Sequence, residues 1–356
     1  MLSEQEHMRY SRQTMLPEIG IAGQELLAAA RVLVIGAGGL GCPVLTYLTA
    51  AGVGTIGIAD GDIVSITNLQ RQILYGTADI GNGKAVTAAK RLKEQNPDIN
   101  IIVHECFADS SNILDLIAGY DIVVDGSDNF DTRYLVNDAC VMTGKPMVSG
   151  AIYRFEGQVS VFNYKGGPTY RCIFPEPPGA GESPNCAEIG VVATLPGIVG
   201  TIQANEVIKM ITGAGEVLAG RLLVIDALTL TTHTFRFPLV TDNLLIKELP
   251  ELHMNTCKTA VQHLLSMAEI QRMLASDANT QLVDVREPEE HALRNIGGIN
   301  LPISAPESKY HILNPTIPVV LYCASGKRSA FAYNALKAAG FTEVYELKGG
   351  INAVTE

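Results

Sequence analysis

The stretch from residue 31 to residue 43, RVLVIGAGGLGCP, decides the fold of the first part of the chain. Its apolar start, Arg31–Ile35, predicts a short buried strand, and the glycines that follow match the pattern G-x-G-x-x-G. Pro43 fits the first turn of a helix. Such glycines let the backbone approach a phosphate closely, while the helix N-terminus offers free N–H groups. The candidate nucleotide contacts in this loop are Gly36, Gly38, Gly39 and Gly41.

Strand and helix patterns alternate after this loop. Further apolar runs that predict strands are Thr55–Ala59, Ile101–His104, Asp121–Val124 and Met147–Ser149. Helical periodicity marks Val44–Ala51, Lys84–Gln95, Ile113–Ala118 and Thr132–Met142. The alternation predicts an α/β fold, with a Rossmann-like, doubly wound, mostly parallel sheet and helices on both faces. An added antiparallel part is predicted from the strand patterns Gln158–Phe162, Leu222–Ile225 and Thr232–Phe237.

A second, smaller alternation follows a connector without strong periodicity. Its predicted elements are a helix at Met267–Leu274, strands at Gln281–Val285 and Pro318–Cys323, a helix at Ser329–Ala339 and a strand at Glu343–Leu347. We therefore predict an N-terminal domain at 1–248, a linker at 249–262 and a small α/β domain at 263–356. The uncharged stretch Ile189–Asn205 contains Pro196 and is shorter than the roughly 20 apolar residues of a membrane span, so we predict a buried helix over Gly190–Met210.

Composition narrows the classes of function. The chain has 356 residues, 47% of them apolar and 18% charged, which is typical of a folded protein with sizeable cores. Its net charge of −11 argues against binding nucleic acid or an anionic membrane surface. The N-terminal residues show no secretory signal, and the seven cysteines form no C-x-x-C pair, which is typical of free thiols in a reducing compartment. We expect a cytoplasmic protein.

Polar and charged residues follow several of the predicted strands. Asp60 ends the second strand, where an acidic side chain can take a ribose hydroxyl, and the glycine pattern with Asp60 alone would suggest an NAD-dependent oxidoreductase. Further along the chain come Asn68-Leu69-Gln70-Arg71-Gln72, Lys84 and Asp125-Gly126-Ser127-Asp128-Asn129. Cations facing carboxylates at the carboxyl edge of a sheet suit a nucleoside triphosphate with Mg²⁺ better than a dinucleotide.

These motifs together resemble the MoeB/ThiF family of adenylyltransferases, which are similar to ubiquitin-activating enzymes and act on ubiquitin-like sulfur carriers. The resemblance covers about residues 5–245 and rests on the motifs Arg9-Tyr10-Ser11-Arg12-Gln13, Gly36–Cys42, Asp60 with Asn68–Gln72, Lys84, Ser127-Asp128-Asn129, Ser149-Gly150-Ala151 and Glu156-Gly157-Gln158. It implies that ATP and the C-terminal Gly-Gly carboxylate of a carrier protein form an acyl adenylate and pyrophosphate. AMP is then a far better leaving group than oxide.

The resemblance also implies a role for each matching residue. Asp60 would hold the ribose, Lys84 and Arg71 the phosphates, and Asp128 the Mg²⁺ ion. Asn68 would orient the phosphates, while Asn129 and the Gly39 backbone would line the cradle. The implied assembly is a homodimer in which Arg12 of the partner subunit serves the pyrophosphate. The nucleotide-site candidates outside the glycine loop are Asp60, Thr67, Asn68, Leu69, Gln70, Arg71, Lys84, Asp128 and Asn129.

Family members often bind zinc through two C-x-x-C pairs, and here this sequence departs from the family. The first pair reads Thr169-Tyr170-Arg171-Cys172, and no cysteine occurs between Phe237 and Cys257. Zinc is therefore not expected, and Cys172 is interpreted as a buried thiol. Cys186 has a different setting, because it lies between the Pro/Gly-rich loop Pro175–Pro184 and the predicted apolar helix. In many relatives a cysteine at this place attacks the adenylate; the alternative is that Cys186 only packs.

Cys323 ends a predicted strand and is followed at once by a helix. A thiol followed by a glycine, two cations and a helix N-terminus predicts a backbone nest that stabilises an anionic sulfur. The residues of this loop are Ala324, Ser325, Gly326, Lys327 and Arg328. Serine at position 329 disfavours a phosphatase, whose arginine comes six places after its cysteine.

Residues 265–356 resemble rhodanese domains through Val283–His291, the Cys323 loop and Leu347-Lys348-Gly349-Gly350-Ile351, although Val354 stands where relatives usually have tryptophan. The resemblance implies a persulfide on Cys323 that is delivered to the adenylated carrier, with a desulfurase or thiosulfate as the sulfur donor. The sequence thus predicts an adenylyltransferase joined to a sulfurtransferase, in a molybdopterin- or thiamine-type pathway. The alternatives are a nicotinamide oxidoreductase with a redox cysteine domain and a non-catalytic binder of a ubiquitin-like protein.

Overall fold

The structure, a computed structural model, describes residues 2–178, 190–250, 264–276, 279–303, 312–338, 341 and 343–354. The chain divides into two compact units, Met1–Met254 and Asn255–Glu356. Within the described residues, no helix is both long and apolar enough to cross a membrane.

The first unit is an α/β unit built around an eight-stranded sheet. Its strands are β1 (Arg31–Ile35), β2 (Thr55–Ala59), β3 (Asn100–His104), β4 (Ile122–Asp125), β5 (Met147–Tyr153), β6 (Glu156–Phe162), β7 (Arg221–Asp226) and β8 (Thr231–Arg236). Its helices are α1 (Glu4–Arg9), α2 (Ser11–Thr14), α3 (Gly20–Ala29), α4 (Gly41–Ala51), α5 (Lys84–Gln95), α6 (Ile113–Ala118), α7 (Phe130–Thr143) and α8 (Thr194–Thr212).

The strand order is β3-β2-β1-β4-β5-β6-β7-β8. The strands from β3 to β5 are parallel, and β6, β7 and β8 continue the sheet antiparallel. Because the chain moves from β1 toward β3 and then returns to β4 on the other side of β1, the ends of β1 and β4 form the switch point at which open α/β sheets bind ligands. The predicted fold class, with its parallel part and its antiparallel extension, is confirmed.

Strand β1 is buried on both faces of this sheet. Val32 and Val34 belong to the core on one face, whereas Leu33 and Ile35 belong to the core on the other. Successive side chains of a strand point to opposite faces, so a strand covered by helices on both sides needs an uninterrupted apolar run. This requirement explains why VLVI reads as a continuous apolar segment.

The structure corrects several predicted boundaries in this unit. Helix α8 begins at Thr194 rather than at residue 190, and Pro196 lies in its first turn, where a missing N–H costs nothing. Strand β5 continues past Ser149 to Tyr153 and forms a hairpin with β6, whose turn places Arg154 at φ 54°. Helices α1, α2 and α3 were not predicted, although Ser3 and Glu6 form a capping box that marks the start of α1.

The second unit has a five-stranded sheet in which every pairing is parallel. Its strands are β9 (Leu264–Leu265), β10 (Gln281–Asp284), β11 (Ile299–Asn300), β12 (Val319–Tyr322) and β13 (Val344–Leu347), in the order β11-β10-β12-β13-β9. Its helices are α9 (Met267–Ser276), α10 (Pro288–Leu293) and α11 (Lys327–Ala338). Helix α11 begins two residues before the predicted start, and this places Arg328 in its first turn.

Gly200 allows α8 to approach α4 closely. A Cβ atom at Gly200 would lie 2.5 Å from both the backbone oxygen of Leu40 and Cγ of Pro43, whereas a Cβ at Gly197 of the same helix would meet nothing within 4 Å. We expect Gly200→Ala to lower the free energy of unfolding by about 1–3 kcal/mol, because the helix would have to move away from the glycine loop.

The matched control is Gly197→Ala, which should leave stability unchanged or raise it by up to about 1 kcal/mol, since alanine favours the helix. Urea unfolding followed by circular dichroism measures both variants. Equal stability of the two variants would contradict the close packing of α8 against α4 at Gly200.

Candidate active sites

A cavity of about 620 Å³ opens at the switch point of the first unit. Gly36 has φ +91°, and a Cβ there would lie 2.8 Å from the backbone oxygen of Gly126 at the end of β4. A Cβ at Gly41 would lie 1.9 Å from the oxygen of Gly36. Glycine is therefore required at position 36 by the approach of the β4 end and at position 41 by the close packing against Gly36, and the loop between them forms a backbone-lined cradle. Gly36, Gly38 and Gly39 line the cavity, whereas Gly41 lies behind it, in the first turn of α4.

Asp60 lies at the end of β2, at the wall of this cavity. Its Oδ2 accepts a hydrogen bond from the backbone N–H of Ala37 at 2.8 Å, and its Oδ1 accepts one from Asp62 N at 2.8 Å. Burial raises the pKa of Asp60, while the charge of Lys84 and these two N–H groups oppose the rise. Asp60 thus ties the glycine loop to β2 at the cavity wall, and its contact with a ribose stays a prediction.

Two cations line the cavity beside it. The Lys84 side chain is nearly buried, and its Nζ lies 2.6 Å from Oδ2 of Asp62, a carboxylate that the sequence analysis did not single out. Arg71 is partly exposed and donates from Nη1 to the backbone oxygen of Thr67 at 3.2 Å. Its Cδ lies 3.5 Å from the position a Cβ would take at Gly39, so Arg71 faces the cradle. This arrangement can bind the phosphates of a nucleotide.

The carboxylates after β4 have different surroundings. Asp125 is fully buried and accepts hydrogen bonds from Arg133 Nε at 2.9 Å, from Ser127 Oγ at 2.5 Å and from Ser149 Oγ at 3.2 Å. Asp128 is exposed at the cavity. Of these two carboxylates, Asp128 is the one available to a ligand.

Polar side chains, two of them buried, hold the backbone around the cavity. Gln203, on α8, donates to the backbone oxygen of Asp125 at 2.8 Å, and Asn129 Oδ1 caps α7 by accepting from Thr132 N at 2.8 Å. Gln72 is buried at the cavity wall, and its Oε1 has no hydrogen-bond partner in the described part of the chain. A cradle of glycine backbone, two cations and an unpartnered amide oxygen fits a bound nucleotide.

Several predicted site residues lie outside the cavity wall. Thr67, Asn68, Leu69 and Gln70 belong to the turn that carries Arg71, and Asn68 Oδ1 accepts from Ser65 N at 3.3 Å. Arg12 lies exposed on α2 and is not among the residues that form the cavity wall. Cys186 falls outside the described residues.

The geometry around Cys172 does not fit a zinc ion. The sulfur of Cys172 lies between two short segments, 169–172 and 240–243. It accepts hydrogen bonds from Thr169 N at 3.3 Å, Val240 N at 3.4 Å and Asn243 Nδ2 at 3.6 Å. A structural zinc site needs four ligands, but this cluster offers one thiol among N–H donors. Burial acts to raise the pKa of Cys172, but these hydrogen bonds outweigh it and lower the pKa below the usual value.

In the second unit, Cys323 follows β12, at the centre of the sheet, and is 1% exposed. Its Sγ accepts a hydrogen bond from Gly326 N at 3.1 Å. The loop is held from behind because Ile351 N donates to the Cys323 oxygen at 2.8 Å, and a Cβ at Gly350 would lie 2.6 Å from that oxygen. The sulfur is thus held beside a backbone N–H, a setting that can stabilise a thiolate.

A buried carboxylate supports the neighbouring strand. Asp284 ends β10 and accepts hydrogen bonds from Arg286 Nε and Nη2, and its Oδ2 lies 2.9 Å from His291 Nδ1. Burial acts to raise the pKa of Asp284, but these hydrogen bonds outweigh it and lower the pKa.

The ThiF family matches residues 10–244, and the rhodanese-like domain matches residues 266–356. The chain belongs to the ThiF family. A probable adenylyltransferase/sulfurtransferase MoeZ of Mycobacterium tuberculosis is 45% identical to this chain over 366 residues. The match covers 99% of this chain and 93% of the relative.

Two further relatives match about two thirds of this chain. A sulfur carrier protein adenylyltransferase of Thermus thermophilus is 52% identical over 231 residues, covering 64% of this chain and 85% of the relative. The adenylyltransferase and sulfurtransferase MOCS3 of Sus scrofa is 49% identical over 227 residues, covering 64% of this chain and 50% of the relative. A solved structure of E. coli MccB is similar in fold, with a TM-score of 0.59 and 22% identity over 67% of this chain and 73% of that one.

These comparisons confirm the predicted ThiF-type and rhodanese-type units and the predicted enzyme class. The ThiF-family chain is an adenylyltransferase and sulfurtransferase, and an adenylyltransferase takes its adenylyl group from ATP. The alternative of a nicotinamide oxidoreductase is therefore set aside. The roles assigned to single residues stay predictions, as do the domain boundaries at 248 and 262.

We expect Cys172→Ala to lower the free energy of unfolding by about 0.5–1.5 kcal/mol, because three donors lose their shared acceptor. EDTA should leave the melting temperature of the unaltered protein unchanged. Thermal and urea unfolding measure both, with Cys106→Ala as the control for removing a partly buried thiol that accepts no such bonds in the described residues. Purified protein that carries one zinc per chain and melts earlier in EDTA would show the interpretation to be wrong.

The lowered pKa of Asp284 predicts acid-sensitive stability in the second unit. A depressed carboxyl pKa stabilises the fold fully above the unfolded value of about 3.9 and loses that contribution as the pH falls toward the folded value. Hydrogen exchange of peptides from residues 281–300 should therefore accelerate as the pH falls below about 4, after correction for the intrinsic exchange rate. Asp284→Asn should weaken protection at pH 7 and flatten its pH dependence; an unchanged dependence would contradict the assignment.

Proposed function

We propose that this chain activates the C-terminal carboxylate of a ubiquitin-like sulfur-carrier protein ending in Gly-Gly and converts it to a thiocarboxylate. The observation that carries the proposal is the cavity at the switch point. It combines a glycine cradle with Arg71, Lys84 and an exposed carboxylate, Asp128, in the same chain as a cysteine held in a loop. The names of the MoeZ, MOCS3 and Thermus thermophilus relatives support this combination of activities.

In the first step, an oxygen of the carrier carboxylate attacks the α-phosphorus of ATP, and pyrophosphate leaves. Arg71 and Lys84 stabilise the charge that develops on the phosphates, and Asp60 orients the ribose. Mg²⁺, when bound, neutralises phosphate charge, and Asp128 is the residue that would hold it. Arg12 of the partner subunit serves the pyrophosphate in a homodimer.

In the second step, the terminal sulfur of a persulfide on Cys323 attacks the acyl adenylate, and AMP leaves with the electron pair of the broken C–O bond. The product is an acyl disulfide between the carrier and Cys323. Attack by a thiol on Cys323 Sγ then releases the carrier thiocarboxylate and leaves a disulfide between Cys323 and that thiol. A small external thiol such as dithiothreitol supplies the attacking sulfur.

We expect Asp128→Ala and Arg71→Ala to reduce carrier-dependent ATP–pyrophosphate exchange by at least about 100-fold, since Arg71 would stabilise the phosphate charge directly and Asp128 would hold the Mg²⁺ that neutralises it. The control is Glu94→Ala on the exposed face of α5, which should exchange like the unaltered protein. A panel of Gly-Gly-ended carriers identifies the partner.

Mass spectrometry of the carrier tests the second step separately. Exchange of one oxygen for sulfur should require Cys323, while pyrophosphate exchange should persist in Cys323→Ala. Two results would contradict the proposal: no exchange with any Gly-Gly-ended carrier, or tight NADH binding without Mg²⁺-dependent affinity for ATP.

A further inference from the structure

The guanidinium of Arg328, in the first turn of α11, is held by the carboxylate of Glu290 on α10. Arg328 Nη1 donates to Oε2 at 2.6 Å, and Nη2 donates to Oε1 at 2.7 Å. Two parallel N–H···O bonds between charged groups are stronger and more directional than a single contact. The side chains are 31% and 38% exposed, so the pair faces solvent close to the Cys323 loop.

A further hydrogen bond holds the Glu290 side of this ion pair. Glu290 Oε2 also accepts a hydrogen bond from Glu287 N at 3.3 Å and so caps α10. The hydrogen bonds to Glu290 raise the pKa of Arg328 although partial burial opposes them, and the charges of Glu290 and Cys323 act in the same direction. Cys323 Sγ donates a hydrogen bond to Oγ of Ser329 at 3.7 Å, and Ser329 is the next residue after Arg328 in the first turn of α11. Arg328 is thus the neighbour in the chain of a residue that contacts the sulfur, and its own charge is balanced by a carboxylate.

Net charge beside the sulfur matters because sulfur donors differ in charge. Thiosulfate is a dianion: the Cys323 thiolate attacks its outer sulfur, the S–S bond breaks, and sulfite leaves with the electron pair. An organic persulfide reacts in the same way and releases a thiolate, but cysteine persulfide carries a single net negative charge. Bringing a dianion to a thiolate needs compensating positive charge more than bringing a monoanion does.

We propose that Glu290 is a specificity-determining residue, which neutralises Arg328 and thereby favours an organic persulfide over thiosulfate as the sulfur donor to Cys323. The proposal rests on the proposed sulfur transfer through Cys323. Glu290 acts through Arg328, so it is not a catalytic residue itself.

The test is thiocyanate formation by the full chain, with cyanide as acceptor and either thiosulfate or cysteine persulfide as donor. The background of Cys323→Ala is subtracted. Glu290→Gln keeps an oxygen for the helix cap but frees the charge of Arg328. We expect its KM for thiosulfate to fall about tenfold and its KM for cysteine persulfide to fall about threefold, with kcat nearly unchanged. Added salt should reduce both differences.

Two further variants separate charge from structure. Glu289→Gln removes the same charge from the neighbouring position, where the side chain is exposed and no bond to it occurs in the described residues, and should leave both KM values unchanged. The double variant Glu290→Gln/Arg328→Gln should lose the gain, because the gain requires the freed guanidinium.

An unchanged or higher KM for thiosulfate in Glu290→Gln would overturn the proposal, and so would an equal gain in Glu289→Gln. If neither donor gave Cys323-dependent thiocyanate in the unaltered protein, the sulfur-transfer step itself would be contradicted. That result is distinct from a failure of the ion-pair argument alone.

Discussion

The buried ion pair between Asp125 and Arg133 is the interaction on which the cavity at the switch point depends. Arg133 donates from Nε to Asp125 and from Nη2 to the backbone oxygens of Ser127 and Gly150. One guanidinium therefore joins the end of β4, the loop after it and strand β5. A buried charge left without its partner is costly, commonly by about 3–5 kcal/mol, so neither residue can be replaced alone without disturbing that loop. The exposure of Asp128 follows from this constraint, because Asp125 takes the interior position and the chain must turn outward after it.

In the second unit a buried carboxylate at a strand end is held in a similar way by other residues. Asp284 ends a parallel strand, is buried, and is held by Arg286 and His291, just as Asp125 is held by Arg133 and two serine hydroxyls. In each unit the buried carboxylate fixes the backbone at the carboxyl edge of the sheet, where the candidate site residues lie. Parallel strands favour this arrangement, since their carboxyl ends meet at one edge while helices cover both faces.

The sequence predicts most of this architecture because its determinants are local. The apolar run before Gly36 and the glycines after it specify a strand, a turn and a helix within a short segment, and the alternation repeats that signal along the chain. Boundaries that depend on distant contacts could not be read in this way. The extension of β5 to Tyr153 requires pairing with Glu156 across a turn that carries no glycine, and the approach of α8 to α4 depends on Gly200 meeting Leu40 and Pro43. The pairing of Lys84 with Asp62, and of Arg328 with Glu290, likewise joins residues whose spacing carries no local signal.

Position at a strand end is therefore a weaker guide to chemistry than burial and hydrogen bonding. Asp125 and Asp128 are three residues apart and of the same type, yet one is enclosed by donors and the other faces a cavity. Cations follow the same rule: Arg71 donates to a backbone oxygen and keeps its charge, whereas the charge of Arg328 is balanced by a carboxylate. Lys84 at the cavity is paired with Asp62, as Arg328 is paired with Glu290, so of the two cations beside the glycine cradle it is Arg71 that has no carboxylate partner in the described residues. A ligand that brings several negative charges would therefore meet uncompensated positive charge at Arg71, whereas the guanidinium of Arg328 offers little to a small anion.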